Sequence, residues 1–277
     1  MTLVRLPEPY DFELSTERFR AFGPDLANLW HEGGVHRVVG GREVRIEAAP
    51  GGADVAPLDT ETEPVARELL GAAFELGPFY DWAQGDEVLR ELVSRLAGFR
   101  PPLSPDAYET IVSAISAQQV SLFAAFAVRN RIVERFGHRG VHAYSFPTRE
   151  RMARASEEDL LQLGFSRRKA EYVIGVAQAD LDLDALRNLP DEEVKARLTA
   201  LRGLGEWTAD WFLARHLARP NAWPAGDLGL VKAVSGFYFG GRKLSLAEVR
   251  EFAERLDPFQ NLSAHYLLTG YRVAPPV

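Results

Sequence analysis

Apolar positions change their period once along this chain, near residue 64. Before that point, residues 35–39 and 44–48 are short β-compatible runs on either side of Gly40-Gly41, a dipeptide suited to the positive φ of a tight hairpin. Gly33-Gly34 offers another turn after residues 26–30, and Pro50-Gly51-Gly52-Ala53 reads as the loop that leaves a small antiparallel sheet. From Pro64 onward the period becomes three to four: Val65, Leu69, Leu70 and Phe74, then Leu89, Leu92, Val93 and Leu96. Gly77-Pro78 separates the first of these segments from the second, and Arg100-Pro101-Pro102 ends the second. Asp106 precedes an amphipathic run of Tyr108, Ile111, Val112 and Ile115, and further helices are expected over 122–136, 157–163, 167–179, 191–201, 206–218, 228–238, 246–256 and 263–271. Ser156 with Asp159, and Ser245 with Glu248, have the spacing of N-terminal caps. The pattern predicts a mostly α protein with a small N-terminal α+β domain over 1–100 and a helical domain over 101–277.

Charge changes this picture in one respect. The 277 residues carry 32 Lys+Arg against 39 Asp+Glu, a net of −7, which excludes a uniformly basic nucleic-acid binder. Residues 1–100 hold 10 basic and 18 acidic side chains, whereas 101–277 hold 22 and 21, so the acidity belongs to the first third. There is no cysteine, which removes disulfides, thiolate zinc sites, iron–sulfur clusters and cysteine nucleophiles together, and six scattered histidines make a poor metal site. No apolar run has the length of a membrane span and no secretory h-region opens the chain, so a cytoplasmic, monomeric protein with no membrane partner is expected.

The candidate chemistry lies in two motifs. Residues 201–210 read L-R-G-L-G-E-W-T-A-D, a helix end, Gly203-Leu204-Gly205, and a new helix start. Such a hairpin over about 195–218 lets backbone N–H groups approach a phosphate at a helix N-terminus, although an ordinary tight helix–helix corner would use the same glycines. Residues 223–232 read W-P-A-G-D-L-G-L-V-K, a Gly/Pro loop over 223–227 that ends on Asp227, which by itself would be a helix N-cap. Trp207 and Trp211 stand one helical turn apart and share a face.

Taken together these motifs resemble the helix-hairpin-helix DNA glycosylase superfamily, with the bacterial DNA-3-methyladenine glycosylase II family as the nearest match; P-Y-D-F at 9–12 and A-I-S-A-Q-Q-V-S at 114–121 extend the similarity over some 220 residues. The resemblance implies an active-site cleft between helical subdomains, Asp227 as the carboxylate that acts at the sugar, and Trp207 and Trp211 as a pocket for cationic alkylated bases such as 3-methyladenine and 7-methylguanine. Gly203, Gly205 and Thr208 would hold the phosphate backbone of double-stranded DNA, and Gln119, or else Gln118, would fill the space left by an extruded base. The carbonyls of Thr199, Leu201 and Gly203 would align with a structural Na+ or K+ site; no other cofactor is implied, and the missing cysteines exclude the iron–sulfur branch. In relatives that also cut the strand, a lysine two residues after the second hairpin glycine forms a Schiff base with the sugar. Trp207 occupies that place here, with Lys195 and Lys232 the nearest lysines, so a monofunctional enzyme is expected. A bifunctional glycosylase/lyase and a non-catalytic damage-binding module remain as alternatives. Leu268 falls where some relatives place a pocket aromatic, with Phe259 nearest upstream, which implies a less aromatic pocket.

Overall fold

Gly40 and Gly41, with φ of +55° and +78°, turn strand β3 (Gly34–Val39) back into β4 (Arg42–Ala49) as the dipeptide predicts. The computed structural model, which describes residues 1–273 and Pro275, continues that hairpin beyond expectation. Gly51 at φ +76° makes a second tight turn, so Gly51-Gly52 leads into strand β5 (Gly52–Ala56) instead of leaving the sheet. With β1 (Thr2–Arg5) and β2 (Leu29–His31) the order is β1-β5-β4-β3-β2, every pairing antiparallel. Register places Val35 opposite Ile46 and Ile46 opposite Val55, so one face presents a continuous apolar surface. Phe12 of α1 (Phe12–Thr16), Phe19 of α2 (Arg18–Ala21) and Leu69 of α3 (Thr62–Leu69) join that core.

Ten of the remaining helices track the sequence pattern: α5 (Glu87–Arg95), α6 (Ala107–Ala117), α7 (Leu122–Phe136), α9 (Glu157–Gln162), α10 (Arg167–Gln178), α11 (Asp191–Thr199), α12 (Glu206–Arg215), α13 (Leu228–Tyr238), α14 (Leu246–Glu254) and α15 (Gln260–Val273); α4 (Leu76–Ala83) and α8 (Arg149–Ala153) were not expected. Asp106 accepts from the Glu109 N–H at 2.6 Å to cap α6, and Ser156 and Ser245 each form a full capping box. Gly77-Pro78 is not a separator: it lies in the first turn of α4, where a proline's missing N–H would have had no helical acceptor anyway.

Packing departs from the boundary expected at residue 100. One helical core gathers α6 to α12; the other joins α4 and α5 to α13, α14 and α15, so residues 74–103 belong with the C-terminal helices. Leu89, Leu92 and Val93 of α5 are buried in the core they share with α15, and that burial outweighs sequence proximity to the sheet. The cleft between these two cores is where the functional motifs meet.

Candidate active site

The hairpin is built by backbone restriction. Gly203 has φ +89°, and a Cβ there would overlap the Tyr172 ring. Gly205, at φ −109°, faces open space and starts α12 without a side-chain cap. The N–H groups of Gly203 and Gly205 donate no hydrogen bond among the described residues, so they remain free for a phosphate oxygen at a helix N-terminus. Thr208 does not belong with them. Its side chain is 2% exposed and its N–H donates to the Gly205 carbonyl at 3.0 Å, because the first turn of α12 directs it into the core. Lys195 and Asp210, 2.9 Å apart, brace α11 against α12.

Asp227 has a double role. Its Oδ1 accepts from the Leu230 N–H at 3.0 Å and so caps α13, while its Oδ2 accepts from Trp211 Nε1 at 3.1 Å and Trp207 Nε1 at 3.3 Å. Trp207 and Trp211 project together from α12, as their spacing requires, but they turn their N–H edges onto the carboxylate. The carboxylate is thus held by three donors from two elements at the wall of a cavity of about 890 Å³. Trp211 also has one ring face covered: the Arg215 guanidinium sits 3.8 Å from its centroid. That face is the one a cationic base would need, whereas no cation covers the Trp207 ring among the described residues, and Trp207 lines the same cavity.

Sequence reasoning missed much of the cavity wall. Arg18, Arg215 and Arg272 line it, and so do Phe19, Phe22 and Phe126, so its wall carries aromatic rings although Leu268, which lines it too, is not one; Phe259 packs in the second helical core. Beneath them lies a buried ionic network. Arg129 pairs with both Asp25 and Glu109, Glu109 pairs with Arg37 at 2.7 Å, and Asn28 bridges Arg37 and Asp25. Burial alone would raise both carboxyls, but Arg129 beside Asp25, and Arg37 with Arg129 beside Glu109, hold them below the usual carboxylate range. No lysine lines the cavity among the described residues. Lys195 is engaged with Asp210, and Lys169 donates to the Ser116 carbonyl at 2.8 Å.

The two glutamines separate cleanly. Gln118 Nε2 donates to the Gly203 carbonyl at 2.9 Å and ties the end of α6 to the hairpin. Gln119, exposed and with φ +57°, projects at the cavity rim, followed by exposed Val120, Leu122 and Phe123.

A crevice between two helical cores, with a glycine hairpin on one side and a loop-borne aspartate facing it, defines the class. The family model described as HhH-GPD superfamily base excision DNA repair protein matches residues 112–258, which span both motifs, and the chain belongs to that superfamily. A solved structure described as a 3-methyladenine DNA-glycosylase from Archaeoglobus fulgidus superposes with a TM-score of 0.88 at 33% identity, covering 100% of both chains. A Bacillus subtilis protein named DNA-3-methyladenine glycosylase is 30% identical over 70% of this chain and 66% of its own length, so the chain spans just under two thirds of that relative. A Schizosaccharomyces pombe 3-methyladenine DNA glycosylase, solved in complex with abasic DNA, superposes with a TM-score of 0.61 at 27% identity over 70% of this chain and 96% of its own.

Proposed function

We propose that the protein is a monofunctional DNA glycosylase that releases alkylated bases, 3-methyladenine and 7-methylguanine among them, from double-stranded DNA by hydrolysis. The observation that carries this reading is Asp227, fixed by two indole N–H groups and a backbone N–H at the wall of a cavity that no lysine lines among the described residues. Breaking the bond between base and deoxyribose develops positive charge at the sugar. A carboxylate already oriented towards that carbon stabilises the charge without reorganising, and can align and deprotonate the attacking water. With no amine in the cavity wall, water is the nucleophile and an abasic site the product.

DNA is held at short range. The Gly203 and Gly205 amides take a phosphate, and Gln119 with the apolar residues after it enters the stack as the target base leaves it. Gln118 keeps hairpin and wedge in a fixed relation. The Thr199, Leu201 and Gly203 carbonyls fit a monovalent cation. They are oxygen donors at the C-terminal end of α11, and Leu201 and Gly203, already accepting from Leu204 N–H and Gln118, each keep a lone pair. A Na+ or K+ held there would add positive charge beside the phosphate.

The test is to incubate the protein with methylated duplex DNA and follow free bases, with borohydride present in a parallel reaction. Release of 3-methyladenine and 7-methylguanine with no covalent adduct is expected. A trapped adduct would show a lyase, and base release undiminished by Asp227→Asn would leave Asp227 as a cap alone.

A further inference from the structure

Three of the six histidines, far apart in sequence, meet on the face of the sheet that turns away from its apolar core. His36 alternates with Val35 along β3, and His31 on β2 lies opposite Gly34, two residues from His36, so register puts both rings on one face. The connection between α7 and α8 folds over that face and adds His142. The ring centroids of His31 and His142 are 4.4 Å apart, those of His36 and His142 5.2 Å, and those of His31 and His36 5.6 Å. Three imidazoles on one tetrahedral metal ion, with bonds of about 2.0–2.1 Å, have centroids about 5 Å apart, so the backbone already holds these rings at the spacing such an ion requires.

His36 is the prepared ligand. Its side chain is buried, and its Nδ1 lies 2.7 Å from Glu43 Oε1. Burial alone would raise the Glu43 carboxyl, but the His142 N–H at 2.7 Å, the His36 ring and the Ala143 N–H at 3.0 Å hold it below the usual carboxylate range. An ionised carboxylate only accepts, so the His36 Nδ1 carries the ring proton and donates, and Nε2 keeps its lone pair. That Nε2 is buried without a hydrogen-bond partner, which is costly until an electrophile takes it. A histidine that donates one ring N–H to a carboxylate and offers the other nitrogen is oriented as metal-binding histidines are. As they stand, the side chains do not form a metal site among the described residues, since the His31 and His142 rings lie only 32° from parallel. His31 is half-buried and His142 exposed, so rotation about their side-chain torsions turns their nitrogens inward. Arg45, opposite His36 in register, is engaged with Glu47, which leaves Glu43 and Glu32 to balance a cation. The Glu32 Oε1 is 3.8 Å from His31 Nε2.

We propose that His31, His36 and His142 bind one divalent transition-metal ion of the class that imidazole favours, Zn²⁺ first, with Glu43 orienting His36 and either water or Glu32 in the fourth position. Neutral ring nitrogens select such an ion over Mg²⁺ and Ca²⁺, which take oxygen donors. None of the three histidines lines the cavity beside Asp227, so the ion takes no part in the chemistry there. It joins β2 and β3 to the α7–α8 connection, and its binding stabilises that junction between sheet and helices. The site stands independently of the glycosylase reading.

The experiment treats the whole protein with a chelator, removes the chelator, and titrates Zn²⁺ by calorimetry, with Co²⁺ absorption reporting coordination geometry and melting curves with and without Zn²⁺ reporting stability. The parent is compared with His31→Ala, His142→Ala and, as a control on an exposed histidine outside the cluster, His138→Ala. The parent is expected to bind one Zn²⁺ per chain, to give the visible bands of tetrahedral Co²⁺, and to melt higher with Zn²⁺ than without. His31→Ala and His142→Ala are each expected to weaken Zn²⁺ binding by at least about tenfold and to shrink the melting shift, while His138→Ala leaves both unchanged. The two substituted side chains reach solvent, so the variants should fold, and their metal-free melting curves check that they do. Absence of saturable binding would overturn the inference. So would equal weakening by His138→Ala, which would mean adventitious surface binding, or weakening by only one of the two cluster variants, which would leave too few ligands. A melting shift of the same size with Mg²⁺ or Ca²⁺ would place the ion on carboxylates and overturn it as well.

Discussion

Asp227 joins two tasks in one side chain, and a substitution can separate them. Asparagine accepts a hydrogen bond at an N-cap about as well as aspartate, so Asp227→Asn should keep α13 capped through Leu230 N–H while removing the negative charge. Its Nδ2 hydrogens then face the two indole N–H donors that Oδ2 accepts from, so we expect a stability loss of about 1–3 kcal/mol, and base release slower by about 10²–10⁴-fold, measured by melting and single-turnover assays on the same preparation. Trp211→Phe removes one donor to Oδ2 and leaves the other, so a smaller loss of about tenfold is expected, with little change in DNA affinity. Both tryptophans and the aspartate were legible as candidates because their spacing and loop chemistry are local. Their mutual hydrogen bonds were readable in principle, since an indole N–H must find an acceptor when buried and a carboxylate was already expected nearby. Arg18, Arg215 and Arg272 gave no such signal. A single arginine on a helix belongs to no periodic pattern, and only the packing of α2, α12 and α15 brings these three to one cavity.

At the level of elements, the helix-hairpin-helix depends on its two glycines for different reasons. Gly203→Ala would place a methyl group in the Tyr172 ring and force a left-handed φ on a residue that disfavours it, so a destabilisation of about 1–3 kcal/mol is expected in urea unfolding. Gly205→Ala meets no atom and needs no unusual dihedral, so stability should be retained. Its methyl would instead stand where the phosphate approaches, and binding to duplex DNA should weaken severalfold at unchanged stability, as titration of labelled DNA would show. Elements punctuated by Gly, Pro and capping residues were the ones the sequence pattern located well, from the β3–β4 hairpin to the capping boxes of α9 and α14. The four-residue β1 and the five-residue α1 and α8 are too short to show a period, and β5 was hidden because a Gly-Gly turn that leads out of a sheet looks the same as one that leads back into it.

For the whole molecule, the question is what docks the acidic sheet layer onto the helices, and the buried network supplies an answer. Asp25 and Asn28 come from the N-terminal segment, Arg37 from β3, Glu109 from α6 and Arg129 from α7, so every ion pair but one crosses between layers. Such a network is costly to break from one side, because removing a single partner leaves buried guanidinium charge unmatched. Glu109→Gln should therefore cost about 3–5 kcal/mol near neutral pH. The depressed carboxyls set the pH dependence. Their stabilisation is fully present above the unfolded-state values near pH 4 and is lost as pH falls through the lower folded-state values. The parent should lose that contribution on acidification while Glu109→Gln, which no longer has the Glu109 carboxyl to protonate, loses less, so the stability gap between them should narrow below about pH 4. Urea unfolding of both proteins across that range measures the gap directly. A gap that stayed constant with pH would mean that Glu109 contributes through packing and not through its charge, and the docking of the sheet would then rest on the apolar contacts of its own core.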